Sequence, residues 1–377
     1  MKPRVFFYVQ HLLGIGHVRR AATLARALAS AGFDVLLVSG GAPLALDLGR
    51  ARLHQLPPLR ARDEGLRELS RLDGTPLDET FKAARTRELL ELLRAESPAI
   101  LVTEQFPFGR TQLRFELLPL LEAARALRPR PLLVASVRDV VRRTMSAERV
   151  AQTLELFRSF DLALVHGDPR LVPFERSFAG WAGIRDRAVY TGYVAEADGA
   201  AATIEEGRGD VVVSAGGGAV GRPLLDAAVE ARSIGPLGDR RWRLLVGDNL
   251  PAAARAALPA DPGIVVEPAR PDFRGLLRNA CLSISQAGYN TVVETLCCAD
   301  RAVLVPFASE RETEQLDRAE LLAERGLVAV VSRQPLTGES LAAGIRSALG
   351  GPSLRSFPAF DLGGATATAE ILRRHLS

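Results

Sequence analysis

Residues 210–223 read DVVVSAGGGAVGRP, and this stretch decides how the rest of the chain is interpreted. Short runs of valine are typical of buried β-strands, and proline is favoured in the first turn of a helix. Glycine costs roughly 0.5–1 kcal/mol relative to alanine inside either element, so three in a row indicate a turn that needs bare backbone. The stretch therefore predicts a strand, a glycine turn and a helix.

The same alternation of strand and helix recurs along the chain. The segment HVRRAATLARALASAG (17–32) has the apolar spacing of a helix, with Gly32 as its stop. Strands that alternate with helices indicate βαβ units and parallel sheets. Six β-rich runs precede residue 200 and six follow it: 5–9, 35–38, 100–103, 132–137, 162–166 and 188–194, then 210–214, 243–247, 263–267, 282–285, 302–307 and 327–331.

The polar stretch 195–210 between the two sets of strands is typical of a linker. We therefore expect an α/β protein with two Rossmann-like, doubly wound domains facing a central cleft. Residues 1–195 are predicted to form the N-terminal Rossmann-like domain and 208–360 the C-terminal one. A helix within 361–377 is expected to pack back on the N-terminal domain. Residues 56–80, rich in proline, arginine and acids, are predicted to be a long loop.

Charge and composition limit the classes of partner. The formal charge is +4, and the arginines are scattered among 44 acidic residues, unlike the clustered basic and aromatic residues of nucleic-acid-binding proteins. The densest basic stretch, 125–143, predicts either a solvated face or contact with an anionic membrane surface. The three cysteines lack metal-ligand spacing, and no apolar run reaches the roughly 18–20 residues of a membrane span. We expect a cytoplasmic protein with no nucleic-acid partner.

The glycine turn predicts an anion site. Gly216, Gly217 and Gly218 follow a strand and precede a helix, and ligands of doubly wound sheets bind at the carboxyl ends of the strands. Free backbone N–H groups and a helix N-terminus both attract phosphate. A tight turn without a ligand is the alternative. The stretch is not a Walker loop, because no Gly-Lys-Ser/Thr follows.

Two later stretches repeat this arrangement. SISQAGYNTVVETL (283–296) predicts a strand, a glycine turn and a helix, on which Glu294 is either an exposed acid or an acceptor of ribose hydroxyls. VPFASERETEQLDRA (305–319) predicts a strand end, a loop and a helix that starts with Glu314 and Gln315. All three sets of polar groups are expected at one edge of the sheet.

The run Ser-Gln-Ala-Gly-Tyr-Asn-Thr-(x)2-Glu, then Pro-Phe and Glu-Gln-(x)2-Arg-Ala, resembles the donor half of GT-B glycosyltransferases. Over about 208–350 it is similar to the class that contains the peptidoglycan N-acetylglucosaminyltransferase acting on a lipid-linked acceptor. The resemblance implies that 208–360 is the nucleotide-sugar-binding domain and 1–195 the acceptor-binding domain. It implies that the three glycines cradle the diphosphate of a nucleotide sugar, with a UDP-linked sugar as the expected donor. It also implies a second phosphate turn, ribose contact by Glu294 and sugar contacts by Glu314 and Gln315. The implied donor-site residues are Gly16, Ser214, Gly216, Gly217, Gly218, Gln286, Gly288, Tyr289, Asn290, Thr291, Glu294, Glu314 and Gln315.

The first half offers the candidate catalytic groups. GIGHVRR (14–20) predicts a glycine turn followed by a helix that begins with His17. The helix dipole lowers the pKa of a histidine placed there, so His17 is predicted to be a general base, or otherwise only a helix cap. Glu104, at a strand end, is the alternative base, and Asp139 is predicted on the acceptor side. Both carboxylates could instead pair with arginines such as Arg110 or Arg138.

These features predict a glycosyltransferase that moves a sugar from a nucleotide-diphosphate sugar to the hydroxyl of an unknown acceptor. The sequence has no Asp-x-Asp motif or histidine cluster, so we expect a reaction without metal or other cofactor. Inversion at the anomeric carbon is implied by the resemblance alone. Two alternatives stay open: a nucleotide-sugar hydrolase or 2-epimerase of the same fold, and a non-catalytic nucleotide-sugar-binding protein.

Overall fold

The computed structural model forms two compact units. Unit 1 comprises Met1–Ala195 with Asp361–Ser377, and unit 2 comprises Glu196–Phe360. Each unit has a parallel sheet covered by helices, so the predicted α/β fold of two doubly wound domains is confirmed. The structure describes residues 2–12, 14–62, 68–141, 145–195, 204–215, 221–247, 261–307, 313–332 and 334–376.

Unit 1 contains a sheet of seven strands, all parallel, in the order β3-β2-β1-β6-β7-β8-β9. A separate antiparallel pair, β4 and β5, lies between β3 and β6 in the chain. The strands are β1 (Arg4–Val9), β2 (Asp34–Ser39), β3 (Arg52–Gln55), β4 (Leu59–Ala61), β5 (Leu69–Arg71), β6 (Ile100–Glu104), β7 (Leu132–Arg138), β8 (Leu162–His166) and β9 (Ala188–Tyr190).

Unit 2 contains a sheet of six parallel strands in the order β12-β11-β10-β13-β14-β15. The strands are β10 (Val211–Ser214), β11 (Trp242–Val246), β12 (Ile264–Pro268), β13 (Leu282–Ser285), β14 (Ala302–Leu304) and β15 (Ala329–Val330).

The α-helices of the described residues connect these strands or follow them. In unit 1 they are α1 (Gly16–Ser30), α2 (Glu79–Glu96), α3 (Arg114–Ala126) and α4 (Ala147–Phe157); in unit 2 they are α5 (Arg222–Ile234), α6 (Phe273–Asn279), α7 (Tyr289–Cys298), α8 (Glu314–Ala323) and α9 (Gly338–Gly350); α10 (Gly364–Arg374) belongs to unit 1. None of them is both long enough and apolar enough to cross a membrane.

Apolar side chains cover both faces of each sheet. In β1, Phe6 and Tyr8 point into one core cluster, and Val5, Phe7 and Val9 point into the other. Successive side chains of a strand face opposite sides, so a strand buried on both sides needs the continuous apolar run seen here. The helices pack on these faces and leave the ends of the strands as the places where polar loops meet.

The prediction of a long loop at residues 56–80 is wrong in detail. Strands β4 and β5 pair there, with Leu59 opposite Arg71, and α2 begins at Glu79. The Asp78 side chain caps α2 by accepting the Phe81 N–H at 2.6 Å. These strands are three residues long and carry arginines, so they lack the apolar runs from which most strands were predicted. The edge strand β3, with the sequence RLHQ, lacks such a run as well and was not predicted.

The order of the strands places the candidate site. In unit 1 the chain winds outward from β1 through β2 to one edge, and from β6 through β9 to the other. In unit 2, β10 and β13 are the corresponding neighbours. Loops that follow such adjacent strands diverge to opposite faces and leave a binding crevice at the carboxyl edge. The residues after β1, β6, β10 and β13 therefore form the candidate sites of the two units.

Candidate active site

His17 and Glu104 meet at the carboxyl edge of the unit 1 sheet. Glu104 is the last residue of β6, which lies beside β1, and His17 lies in the first turn of α1. The His17 Nδ1 atom lies 3.0 Å from Glu104 Oε1, within hydrogen-bonding distance. The His17 side chain is 12% exposed, whereas that of Glu104 is fully buried. The structure thus brings the two predicted catalytic residues together as a pair.

Both oxygen atoms of the Glu104 carboxylate accept hydrogen bonds. Arg20, one turn after His17 on α1, donates from Nη2 to Oε1, and Ser136 Oγ donates to Oε2 at 2.7 Å. The Arg20 side chain is fully buried. The arginine that pairs with Glu104 is therefore neither Arg110 nor Arg138, the two partners considered from the sequence.

The surroundings of His17 favour its neutral form. Burial is the largest cause that lowers the pKa of His17 well below its usual range, and the positive charges of Arg138, Arg110 and Arg20 lower it further, with a smaller contribution from His11. A neutral imidazole donates from one nitrogen and accepts at the other. A hydrogen on Nδ1 that faces Glu104 leaves the Nε2 lone pair as the basic site.

Asp139 lies at the strand end where the sequence places it, but it is fully buried. It directly follows β7 but has no exposed surface, and a Cβ added to Gly167 would lie 2.7 Å from the Asp139 Cβ. Direct contact between its carboxylate and an acceptor would require the surrounding chain to move. Its assignment to the acceptor side remains a prediction.

Sequence reasoning missed the polar residues behind the His17–Glu104 pair. His166 lies at the end of β8, with Nε2 3.0 Å from Ser136 Oγ and Nδ1 2.8 Å from Thr191 Oγ1. Each of these three residues is buried. The available signal was their place at the carboxyl ends of predicted strands, but the sequence did not indicate which of those ends are neighbours.

In unit 2 the glycine turn lies between β10 and α5. Its predicted residues Gly216, Gly217 and Gly218 lie outside the described residues. Ser214 ends β10, and its carbonyl accepts the Gln286 N–H at 3.3 Å, which joins the end of β10 to the turn after β13. Helix α5 begins at Arg222 with proline in its first turn, as the sequence predicts.

The second predicted phosphate turn ends at the N-terminus of α7. Gly288 precedes the helix, and no atom of the described residues lies within 4 Å of the position that its Cβ would take. The first N–H groups of a helix have no partner within the helix, and a helix N-terminus therefore attracts anions; Asn290 and Thr291 lie in this first turn. The Tyr289 ring is buried and lies 5.7 Å from the Arg318 guanidinium. Only the backbone of Tyr289 is thus suited to contact a ligand.

Gln315 links the two loops that follow β13 and β14. Its Oε1 atom accepts the N–H of Ala287 at 3.0 Å and that of Phe307 at 3.2 Å. Arg318 donates to the Ala287 carbonyl at 2.9 Å, so the peptide groups on both sides of Ala287 are held. Glu314 forms an ion pair with Arg318 at 2.8 Å. The Gln315 oxygen is therefore already used within the protein, and a sugar contact would have to come from its Nε2 group.

Glu294 lies on the second turn of α7 and is partly buried. Its predicted contact with a ribose remains a prediction. Among the residues that the structure describes, no cluster of three or more His, Cys, Asp or Glu side chains is arranged to hold a metal ion.

Comparison with solved structures identifies the fold. The structure resembles that of the glycotransferase of kitacinnamycin, with a TM-score of 0.67 and 17% sequence identity over 100% of both chains. It also resembles MurG of Acinetobacter baumannii, with a TM-score of 0.57 and 18% identity over 99% of this chain and 95% of the other. The chain therefore has the GT-B fold of glycosyltransferases, as predicted.

Sequence comparison finds related glycosyltransferases for part of unit 2. Residues 243–354 match the glycosyltransferase family 28 C-terminal domain. A curated relative from Parasynechococcus marenigrum, a UDP-N-acetylglucosamine–N-acetylmuramyl-(pentapeptide) pyrophosphoryl-undecaprenol N-acetylglucosamine transferase, is 32% identical over 134 residues. The match covers 34% of this chain and 36% of the relative, so it spans about a third of the relative's length.

Proposed function

We propose that this protein is a glycosyltransferase that moves a sugar from a nucleotide-diphosphate sugar to an acceptor hydroxyl. The observation that carries the proposal is the 3.0 Å contact between His17 Nδ1 and the buried Glu104 carboxylate at the carboxyl edge of a GT-B-type sheet. Such a pair orients a neutral imidazole as a general base, and general bases typically contribute 10²–10⁴-fold to a rate.

In the proposed reaction, His17 Nε2 removes the proton of the acceptor hydroxyl as its oxygen attacks the anomeric carbon. Glu104 stabilises the imidazolium that forms. The bond between the anomeric carbon and the diphosphate oxygen breaks, and the leaving diphosphate takes up the negative charge. Backbone N–H groups at the glycine turn and at the N-terminus of α7 stabilise that charge.

The donor is assigned to unit 2. Support comes from the family 28 C-terminal domain match, from the N-terminus of α7 and from the open space beside Gly288. The Parasynechococcus marenigrum relative is named for UDP-N-acetylglucosamine, which makes a UDP-linked sugar the first donor to test. Inversion at the anomeric carbon, independence of metal ions and a cytoplasmic location belong to the same proposal. Contact with an anionic membrane surface through α3 of unit 1 is also part of it.

The experiment combines binding with turnover. UDP binding is measured by calorimetry, and turnover as UDP release from UDP-N-acetylglucosamine and UDP-glucose, with and without a panel of hydroxyl acceptors and with and without EDTA. We expect His17→Ala to keep UDP affinity and to lose turnover by 10²-fold or more, on the order expected for a general base. Because the pKa of His17 is lowered, the acid limb of the wild-type rate should lie below the usual histidine value of about 6.5.

Gly288→Val tests the donor site. Its φ of −63° suits any residue, and the space beside it is open, so the variant should fold while the added methyl groups lower UDP affinity about tenfold or more. Gly350→Val is the matched control, because Gly350 ends α9 and also has open space around it. Absence of UDP binding by the wild type would contradict the proposal. UDP release that no acceptor accelerates would favour the nucleotide-sugar hydrolase.

A further inference from the structure

A row of buried hydrogen bonds continues from Glu104 into the body of unit 1. Ser136 Oγ lies 2.7 Å from Glu104 Oε2 and 3.0 Å from His166 Nε2. On the far side, His166 Nδ1 lies 2.8 Å from Thr191 Oγ1. His166 has no exposed surface, and Ser136 and Thr191 have only 1% and 2%. The row crosses the ends of the adjacent strands β6, β7 and β8 and reaches the residue after β9.

The number of available hydrogens fixes the direction of these bonds. A carboxylate only accepts, so the single hydroxyl hydrogen of Ser136 is directed at Glu104. Ser136 Oγ must then accept from His166, which places a hydrogen on His166 Nε2. Burial lowers the pKa of His166 well below its usual range, with a further contribution from the charge of Arg20, so the ring is neutral. With its hydrogen on Nε2, the ring can only accept at Nδ1, so the Thr191 hydroxyl donates there in preference to the Gly192 carbonyl, which lies 2.9 Å away.

We propose that Ser136 and His166 are positioning residues for His17. The bond from His166 directs the Ser136 hydroxyl toward Glu104 Oε2, and this bond turns Glu104 Oε1 toward His17 Nδ1. His17 is thereby kept with its hydrogen on Nδ1 and its Nε2 lone pair facing outward. The catalytic consequence rests on the proposed function, in which Nε2 receives the proton of the acceptor.

The arrangement exceeds what packing requires. An apolar side chain at 136 or 166 would be buried without the cost of desolvating a polar group, a cost that is paid in full when a partner is missing. The polar groups here are instead each paired with the next one. His166 donates to Ser136, and Ser136 donates to the Glu104 carboxylate. Buried networks with every member satisfied hold a single geometry, which is what orienting a general base requires.

The test reads the histidine rings directly and needs no substrate. In full-length protein carrying ¹⁵N-labelled histidine, long-range ¹H–¹⁵N spectra at pH 7.5 distinguish protonated from unprotonated ring nitrogens. We expect His17 to carry its hydrogen on Nδ1 and His166 on Nε2. Ser136→Ala and His166→Leu should convert His17 to a mixture that includes the Nε2–H form. His166→Gln, whose amide can still donate to Ser136, should restore the wild-type spectrum of His17.

Ser285→Ala is the matched control, because Ser285 is an equally buried serine at the end of β13 in unit 2. Far-UV circular dichroism verifies that each variant is folded, and Ser136→Ala alone carries the test if His166→Leu is not folded. The proposal is overturned if His17 carries its hydrogen on Nε2 in the wild type, or if Ser136→Ala leaves the tautomer of His17 unchanged.

Turnover separates this proposal from the proposed function. If UDP-sugar turnover is found, His166→Leu should lower kcat about tenfold while KM stays unchanged, and His166→Gln should recover most of the loss. If no turnover is found while the spectra behave as expected, the positioning role stands and the proposed function fails. If turnover is found and the His17 spectra do not respond to the variants, the proposed function stands and the positioning role fails.

Discussion

A histidine that acts as a base must be neutral before the proton transfer and cationic after it. At His17 these two requirements come from different neighbours. Burial and the surrounding guanidinium groups keep the ring neutral, whereas the Glu104 carboxylate, 3.0 Å away, stabilises the cation that forms. Arg20 donates to the same carboxylate oxygen, Oε1. Its positive charge limits how far Glu104 can favour the imidazolium form of His17 in the resting protein.

Gln315 has a structural role in addition to the sugar contact predicted for it. Replacing it by methionine keeps its length and removes the oxygen that accepts the Ala287 and Phe307 N–H groups. Leaving these partly buried groups without a partner should lower the free energy of unfolding by about 1–3 kcal/mol. UDP affinity should fall as well, because Gln315 would no longer connect the loops after β13 and β14, the first of which leads to the N-terminus of α7.

Denaturant unfolding and calorimetry with UDP measure both effects of Gln315→Met. The exposed Gln334→Met is the control in the same unit. A variant that keeps its stability and its UDP affinity but binds UDP-N-acetylglucosamine more weakly would instead support the sugar contact implied by the family resemblance.

At the scale of elements, α3 combines features of a helix that touches a membrane surface. Leu118 is 39% exposed, and Arg125, seven residues later and so on the same side, is exposed together with Arg128 just beyond the helix. An anionic lipid surface attracts basic residues by about 1 kcal/mol each. This observation supports the membrane alternative left open for residues 125–143 without excluding a solvated face.

Vesicle sedimentation tests the contribution of α3. Wild-type protein should bind vesicles containing anionic lipid at low salt, and binding should weaken as salt screens the charges. Arg125→Glu with Arg128→Glu should reduce binding about tenfold or more, since two attractive charges become repulsive. Arg158→Glu with Arg185→Glu, at exposed sites elsewhere in unit 1, should have a smaller effect. Equal losses in both double variants would favour a solvated face.

At the scale of the whole molecule, the chain returns to unit 1 at its end. The Tyr193 N–H donates to the Asp361 carbonyl at 2.7 Å, and the Gly364 N–H donates to the Tyr193 carbonyl at 3.0 Å. Helix α10 then packs Ile371 and Leu372 into the core cluster that includes the apolar side of α1. The helix that carries His17 is therefore supported by residues more than 300 positions later in the chain.

Leu372→Ala tests this support. The side chain is fully buried, so its truncation should lower the free energy of unfolding of unit 1 by about 2–5 kcal/mol. Hydrogen exchange followed by mass spectrometry should show faster exchange in α1 and unchanged exchange in unit 2. Leu376→Ala, at a leucine that is 38% exposed, is the control. Faster exchange in α5 and α7 instead of α1 would contradict this assignment.

Much of the fold could be predicted because its signals are local. The apolar runs of β1, β6, β8 and β13 were placed to within a residue or so, and α1 ends where Gly32 has a φ of +96°. The short strands β4 and β5 were missed because a run of three residues that includes an arginine carries no periodic signal. A strand of that length is stabilised by its neighbours and not by its own composition.

By itself the sequence determined the alternation of strand and helix, the glycine turns at strand ends and the two candidate catalytic residues. These depend on residues a few positions apart, where steric preference and hydrophobic period act. Only the tertiary structure decided which strand ends meet. His17 and Glu104 are 87 residues apart, and Ser136 and His166 are 30 apart. Their contact depends on the order of strands in the sheet, which is set by the packing of the whole unit and not by any local pattern.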